Sequence, residues 1–126
     1  MGRNAYMKQW RAKNKGKYRK QEQDYAATHV EESRRRRRRY HLKHTYGMHL
    51  EEFEEMFVAQ DGVCAVCGNP EFQIRRGQVK SLDVDHDHDT GDVRGLLCSP
   101  CNAALGLLQE DPARIQSLLT YIESWQ

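Results

Sequence analysis

In the stretch MHLEEFEEMFVAQDG, Leu50, Phe53, Met56 and Phe57 recur at i, i+3, i+6 and i+7, the spacing of a helix with one buried face. Glu51, Glu52, Glu54 and Glu55 gather toward its N-terminal end, where acids favour the helix dipole, and Gly62 is a natural stop. The four apolar residues are expected in the core. VCAVCGNP then predicts a tight turn around Cys64 and Cys67, and residues 69–80 read as a loop. Residues 81–86 and 92–97 are β-prone and flank Asp89-Thr90-Gly91-Asp92, which predicts a hairpin. The pattern turns helical from Pro100. Asp111-Pro112, an N-cap followed by a first-turn proline, opens a final helix with the stripe Ile115, Leu118, Leu119, Ile122 and Trp125. No internal repeat is present.

The N-terminal third follows another rule. Residues 3–46 alternate cations with the aromatics Tyr6, Trp10, Tyr18, Tyr25 and Tyr40, with few glycines and poor apolar periodicity. Arg34, Arg35, Arg36, Arg37, Arg38 and Arg39 form an unbroken run. At ~3.6 residues per turn such a run encircles a helix, so it cannot form one buried face. Either a solvated helix or an arm that orders on a polyanion fits. Together with Lys17, Arg19 and Lys20, these arginines are the expected nucleic-acid-binding residues of a basic arm over 1–45. A merely solubilising tail is the plainer alternative.

Charge sharpens the division. Residues 1–45 hold 15 Lys/Arg against 4 acids, a net of +11, whereas 46–126 hold 5 against 14, a net of −9. With 38% hydrophobic and 30% charged residues, no large apolar core is available. The start MGRNAYMKQW has no apolar region of a secretory signal, and Tyr6 stands where myristoylation needs Ser or Thr. No apolar run approaches the ~20 residues of a membrane span. A cytoplasmic protein with no membrane partner is expected, a setting in which paired cysteines hold metal more often than they form disulfides.

Cys64-x-x-Cys67 and Cys98-x-x-Cys101 are separated by 30 residues and account for all 4 cysteines. Two such knuckles predict a closed tetrahedral Cys₄ site for structural Zn²⁺. Two redox dithiols are the competing reading, but the strand–helix setting of that chemistry is missing. Zinc would also staple a domain too small to be comfortable alone, contributing ~10 kcal/mol or more toward folding.

The segment LDVDHDHDTGDVRGLLC concentrates acids and histidines. Counted from Asp83, a calcium-binding EF-hand would need Gly where His88 stands and Glu where Arg94 stands, so that reading fails. The H-E-x-x-H of metalloproteases is absent. A hairpin leading into a helix can instead bring Asp85-His86 against the first helical turn at Asn102. Asp85 offers a hard anionic oxygen and Asn102 a neutral one, a half-filled shell suited to Mg²⁺ or Mn²⁺. His86 can take a proton from an attacking water near neutral pH. Asp83, Asp87, Asp89 and Asp92 are expected to be turn formers and solvated charge. His29, His41, His44 and His49 are not expected to be ligands.

With YGMHLEEFE, CAVCG, LDVDHDHDTGDVRGLLC and CNAALG followed by DPARIQSLLTYIE, the chain from about Tyr46 to Trp125 resembles the recombination endonuclease VII family, a branch of the HNH or ββα-metal nucleases. The resemblance implies an α+β, zinc-stapled ββα-metal (HNH, His-Me finger) fold with flanking helices behind a basic helical arm. It implies a metal-dependent DNA endonuclease leaving 3′-hydroxyl and 5′-phosphate ends. By motif position Asp85 and Asn102 would hold Mg²⁺ and His86 would be the general base. His88 occupies the place of the family's second histidine, supporting phosphate or substrate. Arg94 would hold the phosphate or departing group, or else pair with a neighbouring aspartate. Leu105 stands where junction-resolving members carry a further glutamate, and fits better as core. The arm offers charge and stacking and reads no bases, so little sequence specificity is expected, with selectivity for nicked or branched DNA. A homodimer is compatible with the pattern. The rival readings are a catalytically inert zinc-ribbon DNA-binding protein and a zinc-stapled interaction module for an acidic protein.

Overall fold

The structure is a computed structural model that describes residues 3–126, apart from the side chains of residues 3, 4, 6 and 18, so the Tyr6 and Tyr18 rings fall outside the described set. The elements run α1 (Arg3–Lys13), α2 (Lys15–Thr28), α3 (Val30–Tyr46), α4 (Leu50–Ala59), β1 (Ile74–Arg75), β2 (Gln78–Val79), β3 (Asp83–His86), β4 (Val93–Leu97), α5 (Ser99–Leu107) and α6 (Pro112–Glu123). This is mixed helix with two small sheets, dividing into units Met1–Leu42 and Lys43–Gln126. No helix among the described residues is long and apolar enough to cross a membrane.

The basic segment is helical. α2 ends where the His29 N–H donates to Tyr25 O, with the Tyr25 and His29 rings stacked at 4.1 Å. Lys17, Arg19 and Lys20 lie exposed on α2. Of the six arginines on α3 only Arg38 is half-buried, as a run that encircles a helix requires. Ser33 and Leu42 are that helix's buried residues.

In the second unit, Met48, Leu50 and Phe53 join Leu82, Val84, Leu96, Leu97, Cys64 and Cys98 as buried apolar positions. The Glu52 carboxylate accepts from the His49 backbone N–H and closes the entry to α4. Only the first half of the expected apolar face is core, since Met56 is half-buried and Phe57 is 40% exposed. The cause lies in the helix stop. Gly62 takes φ +71, its N–H donates to Phe57 O at 2.9 Å, and a Cβ there would sit 3.0 Å from the Phe57 ring. Phe57 therefore packs beneath this turn.

β3 and β4 pair antiparallel, with Val84 opposite Leu96 on the core side. Gln60, just past α4, acts as a one-residue strand beside them. Its Oε1 accepts from Leu96 N at 2.9 Å, and its Nε2 donates to the Leu96 and Val63 carbonyls at 2.9 Å each. Ala65 N also donates to Leu96 O at 3.0 Å, which draws the first cysteine knuckle against β4.

One expectation is corrected. Residues 69–80 are not simply loop, because β1 and β2 form a small hairpin there. The α6 helix forms, with Asp111 Oδ1 accepting from Ala113 N and Arg114 N, but its apolar stripe is exposed throughout.

Candidate catalytic and metal-binding sites

Cys64 and Cys67 lie on the knuckle held to β4, while Cys98 caps α5 and Cys101 sits in its first turn. Their four sulfurs lie within 4.8 Å of one another, and Cys67 Sγ is 3.7 Å from Cys98 Sγ. A tetrahedron with Zn–S bonds of ~2.3 Å has edges of about 3.8 Å, so this spacing fits a structural zinc. Burial, and then the neighbouring sulfurs, push the Cys101 thiol up to about 12 and the Cys98 thiol up as well. Burial also opposes ionisation of Cys64, but N–H donors from Cys67, Cys98 and Val66 outweigh it and bring that thiol down to about 6. Four sulfurs so close cannot all ionise alone; a divalent cation such as zinc would supply the missing compensation.

The knuckle loop is locked to α5 by Glu71, a residue the sequence reading passed over. Its Oε2 accepts from Ser99 N at 2.7 Å and Ser99 Oγ at 2.8 Å, and its Oε1 from Phe72 N and Gln73 N at 3.0 Å. Burial opposes the charge, but these donors hold the carboxyl at about 2. Lys80 Nζ joins the group, reaching Asp83 at 2.6 and 2.7 Å and Ser99 Oγ at 2.9 Å. Asp83 is therefore a half-buried ion-pair partner and not the solvated charge expected. Asp87 is a turn former as expected: its Oδ1 accepts from Asp89 N and Thr90 N at 2.8 Å, which lowers its carboxyl below the usual range. Asp89 and Asp92 are exposed beside it.

Four of the candidate catalytic residues, Asp85, His86, His88 and Arg94, lie together toward the turn end of the β3–β4 hairpin. Asp85 pairs with Gly95 and His86 with Val93, leaving Arg94 as an extra residue in β4. In regular pairing Arg94 would face away from Asp85; the bulge re-aims it. Arg94 Nε donates to Asp85 Oδ2 at 2.8 Å and Nη2 to Oδ1 at 2.9 Å. The other edge of the guanidinium holds Glu110, Nη1 to Oε2 at 2.9 Å and Nη2 to Oε1 at 3.0 Å. These bonds raise the Arg94 pKa still further and lower the Glu110 carboxyl. Exposed His88 places Nε2 3.9 Å from Glu110 Oε1.

The half-buried His86 ring lies between Tyr46, edge-on at 5.3 Å, and His88, at 4.9 Å. Neither His86 nitrogen hydrogen-bonds to a described residue. Asn102 lies half-buried in the first turn of α5, the helix that packs on β3. Its backbone N–H donates to Cys98 O at 3.0 Å, and its side-chain amide makes no hydrogen bond to a described residue. Leu105 is half-buried. Glu110 was invisible in the sequence reading. It follows Gln109 in the turn before α6, both with left-handed φ of 55° and 54°. Acids before an N-cap give no hint of a partner 16 residues earlier.

The family model for recombination endonuclease VII matches residues 38–124. The Gene 59 protein of Mycobacterium phage D29 is 40% identical over 79 residues, covering 62% of this chain and 45% of that protein. The Gene 59 protein of Mycobacterium phage L5 is 47% identical over 58 residues, covering 46% of this chain and 32% of that protein. The chain thus spans less than half the length of these relatives.

Proposed function

The chain belongs to the recombination endonuclease VII family, and from that premise we propose that it is a metal-dependent DNA endonuclease acting in recombination or phage DNA processing. The β3–β4 hairpin and α5 form the ββα-metal (HNH) unit of this reading, and the Cys₄ zinc pins its helix. The main support is that Asp85-His86 stands at the bulged end of the β3–β4 hairpin while α5, which packs on β3, carries the unbonded amide of Asn102 in its first turn.

Asp85 and Asn102 would hold Mg²⁺ or Mn²⁺, which when bound supplies positive charge to the scissile phosphate and departing oxygen. A free His86 nitrogen accepts a proton from the attacking water as its oxygen bonds to phosphorus. The P–O3′ bond breaks, and the departing oxygen takes up a proton, leaving a 3′-hydroxyl and a 5′-phosphate. Arg94, released from Asp85 while still held by Glu110, turns its guanidinium to the phosphate. His88 supports the phosphate from the hairpin tip.

Lys17, Arg19, Lys20 and Arg34 to Arg39 supply the attraction to DNA that the acidic unit lacks. If ~6–8 of these cations meet phosphates, log affinity falls steeply with log salt, by ~0.9 per contact. Discrimination then comes from DNA shape at nicks or branches.

The experiment is to incubate plasmid and branched DNA with the zinc-loaded chain, with and without Mg²⁺, beside His86→Ala. Nicking that needs Mg²⁺ and disappears in the variant, with binding retained, supports the reading. Equal cleavage by both proteins removes His86 from the mechanism. The Arg94–Asp85 pair favours one rival, an inert zinc-ribbon DNA-binding protein with its metal ligand permanently occupied. That rival binds DNA and cuts nothing at any Mg²⁺ concentration.

A further inference from the structure

The nuclease unit is acidic, yet FQIRRGQVK, residues 72–80, carries three cations and no acid. Three of the unit's five Lys and Arg side chains from Tyr46 onward already hold a partner, Lys80 and Arg94 with acids and Arg114 with a neutral amide. Lys80 is bound to Asp83, Arg94 to Asp85 and Glu110, and Arg114 Nη1 donates to Gln109 Oε1 at 3.1 Å. Arg75 and Arg76 alone have neither an ion pair nor a side-chain hydrogen bond among the described residues.

Their setting is specific. Ile74 pairs with Val79 and Arg75 with Gln78, leaving Arg76-Gly77 as a two-residue turn. Both turn residues are left-handed, φ +54 for Arg76 and +77 for Gly77, as the tight turn matching strand twist requires. Asn, Asp or Gly is the usual first residue of such a turn, because a larger side chain is strained there. This hairpin instead puts a guanidinium at its tip. Ile74 and Val79, opposed and so on one face, are 73% and 63% exposed, and Phe72 is 67% exposed. So short a hairpin is not stable alone in water. Its base is fixed at Glu71 and Lys80 to Ser99, in the first turn of the helix carrying Asn102, and Lys80 N donates to Gln73 O at 2.8 Å.

We propose that the β1–β2 hairpin is a DNA-contacting wing, in which Arg75 and Arg76 take backbone phosphates and the bare Ile74–Val79 pair lies against sugars at the groove edge. The proposal rests on the nuclease reading for its choice of a polyanionic partner. Two uncompensated guanidiniums beside an uncovered apolar pair match the alternating phosphate and sugar surface of a duplex. Anchoring at α5 ties the wing to the element that presents Asn102, so DNA gripped there is registered to the cutting site.

The test measures binding of fluorescent duplex and branched DNA by the full zinc-loaded chain carrying His86→Ala, across a salt series. Adding Arg75→Glu and Arg76→Glu should weaken binding about tenfold and lower the log–log salt slope by roughly 2, at ~0.9 per phosphate. Ile74→Ser with Val79→Ser should weaken binding several-fold with the slope unchanged. Arg76→Gly guards against misfolding: relief of the left-handed strain should raise the melting temperature while DNA affinity falls. Wild-type affinity and slope in all of these variants overturn the proposal, even if wild-type protein cleaves DNA with Mg²⁺. Loss of binding in the wing variants, without cleavage by wild type, leaves the wing standing and removes the nuclease reading. A sedimentation shift to monomer in Ile74→Ser/Val79→Ser with unchanged DNA affinity assigns the face to a second copy and overturns the proposal.

Discussion

Arg94 holds Asp85 through both carboxylate oxygens, Nε to Oδ2 at 2.8 Å and Nη2 to Oδ1 at 2.9 Å. In the proposed mechanism this pair must open, because a cation at Asp85 and a guanidinium at the same oxygens repel each other. In that proposed mechanism, metal affinity would be set in part by the protein's own arginine.

Two substitutions should move the Mg²⁺ requirement in opposite directions. Arg94→Ala should lower the Mg²⁺ concentration for half-maximal cleavage several-fold while reducing the maximal rate by ~10²-fold, the scale of losing one aimed charge on the phosphate. Glu110→Gln removes the carboxylate that shares Arg94, tightens Arg94 on Asp85, and should raise the requirement. Cleavage rates across a Mg²⁺ titration read both. Shifts of the same sign in the two variants contradict the competition.

Zinc should be required for the second unit to fold. Elemental analysis is expected to find about one zinc per chain, and Cys98→Ser should lose it. Structural zinc contributes ~10 kcal/mol or more to such sites, so loss of cooperative unfolding by circular dichroism is expected. A zinc-free variant that melts like wild type would remove the staple.

Glu71 should give the fold an acid limit of its own. Its carboxyl is held at about 2 in the fold against 4.5 ordinarily, so its stabilisation is complete above about 4.5 and disappears as pH falls toward 2. That fall corresponds to roughly 3 kcal/mol. Glu71→Gln should cost stability of this order at pH 6, and the gap to wild type should close progressively below pH 4.5. Both proteins lose thiolate ligands in acid alike, so the difference between their denaturation curves isolates Glu71.

Gln60→Leu should destabilise by about 2 kcal/mol, the cost of leaving a buried backbone donor unpaired. Leu96, whose N–H loses its partner, is fully buried. Urea denaturation measures the change. A neutral result would show that water can replace the amide.

Features encoded over a few neighbouring residues were legible in the sequence. The paired cysteines converge, Asp111-Pro112 opens α6, and the chain reverses at Asp89–Asp92. The apolar face of α4 was half right: periodicity marks which residues share a side, while the extent of that side that is covered depends on what lies beyond Gly62. The hairpin at 74–79 leaves no sequence signal, because strands of two residues carry no period and its Arg-Gly turn departs from the usual Asn-Gly.

The sequence by itself determined the four-cysteine cluster that fits zinc, the hairpin-to-helix order and the charge division, because spacing, turn chemistry and net charge are local properties of the chain. Tertiary structure alone decided that Arg94 faces Asp85, since alternation along β4 points it away and only the bulge reverses it. It likewise brought Glu110 to Arg94 across 16 residues, Glu71 to Ser99 across 28 and Gln60 to Leu96 across 36. Polar side chains carry no periodic mark of their partners; they bond to whichever donor or acceptor the packed backbone leaves within reach.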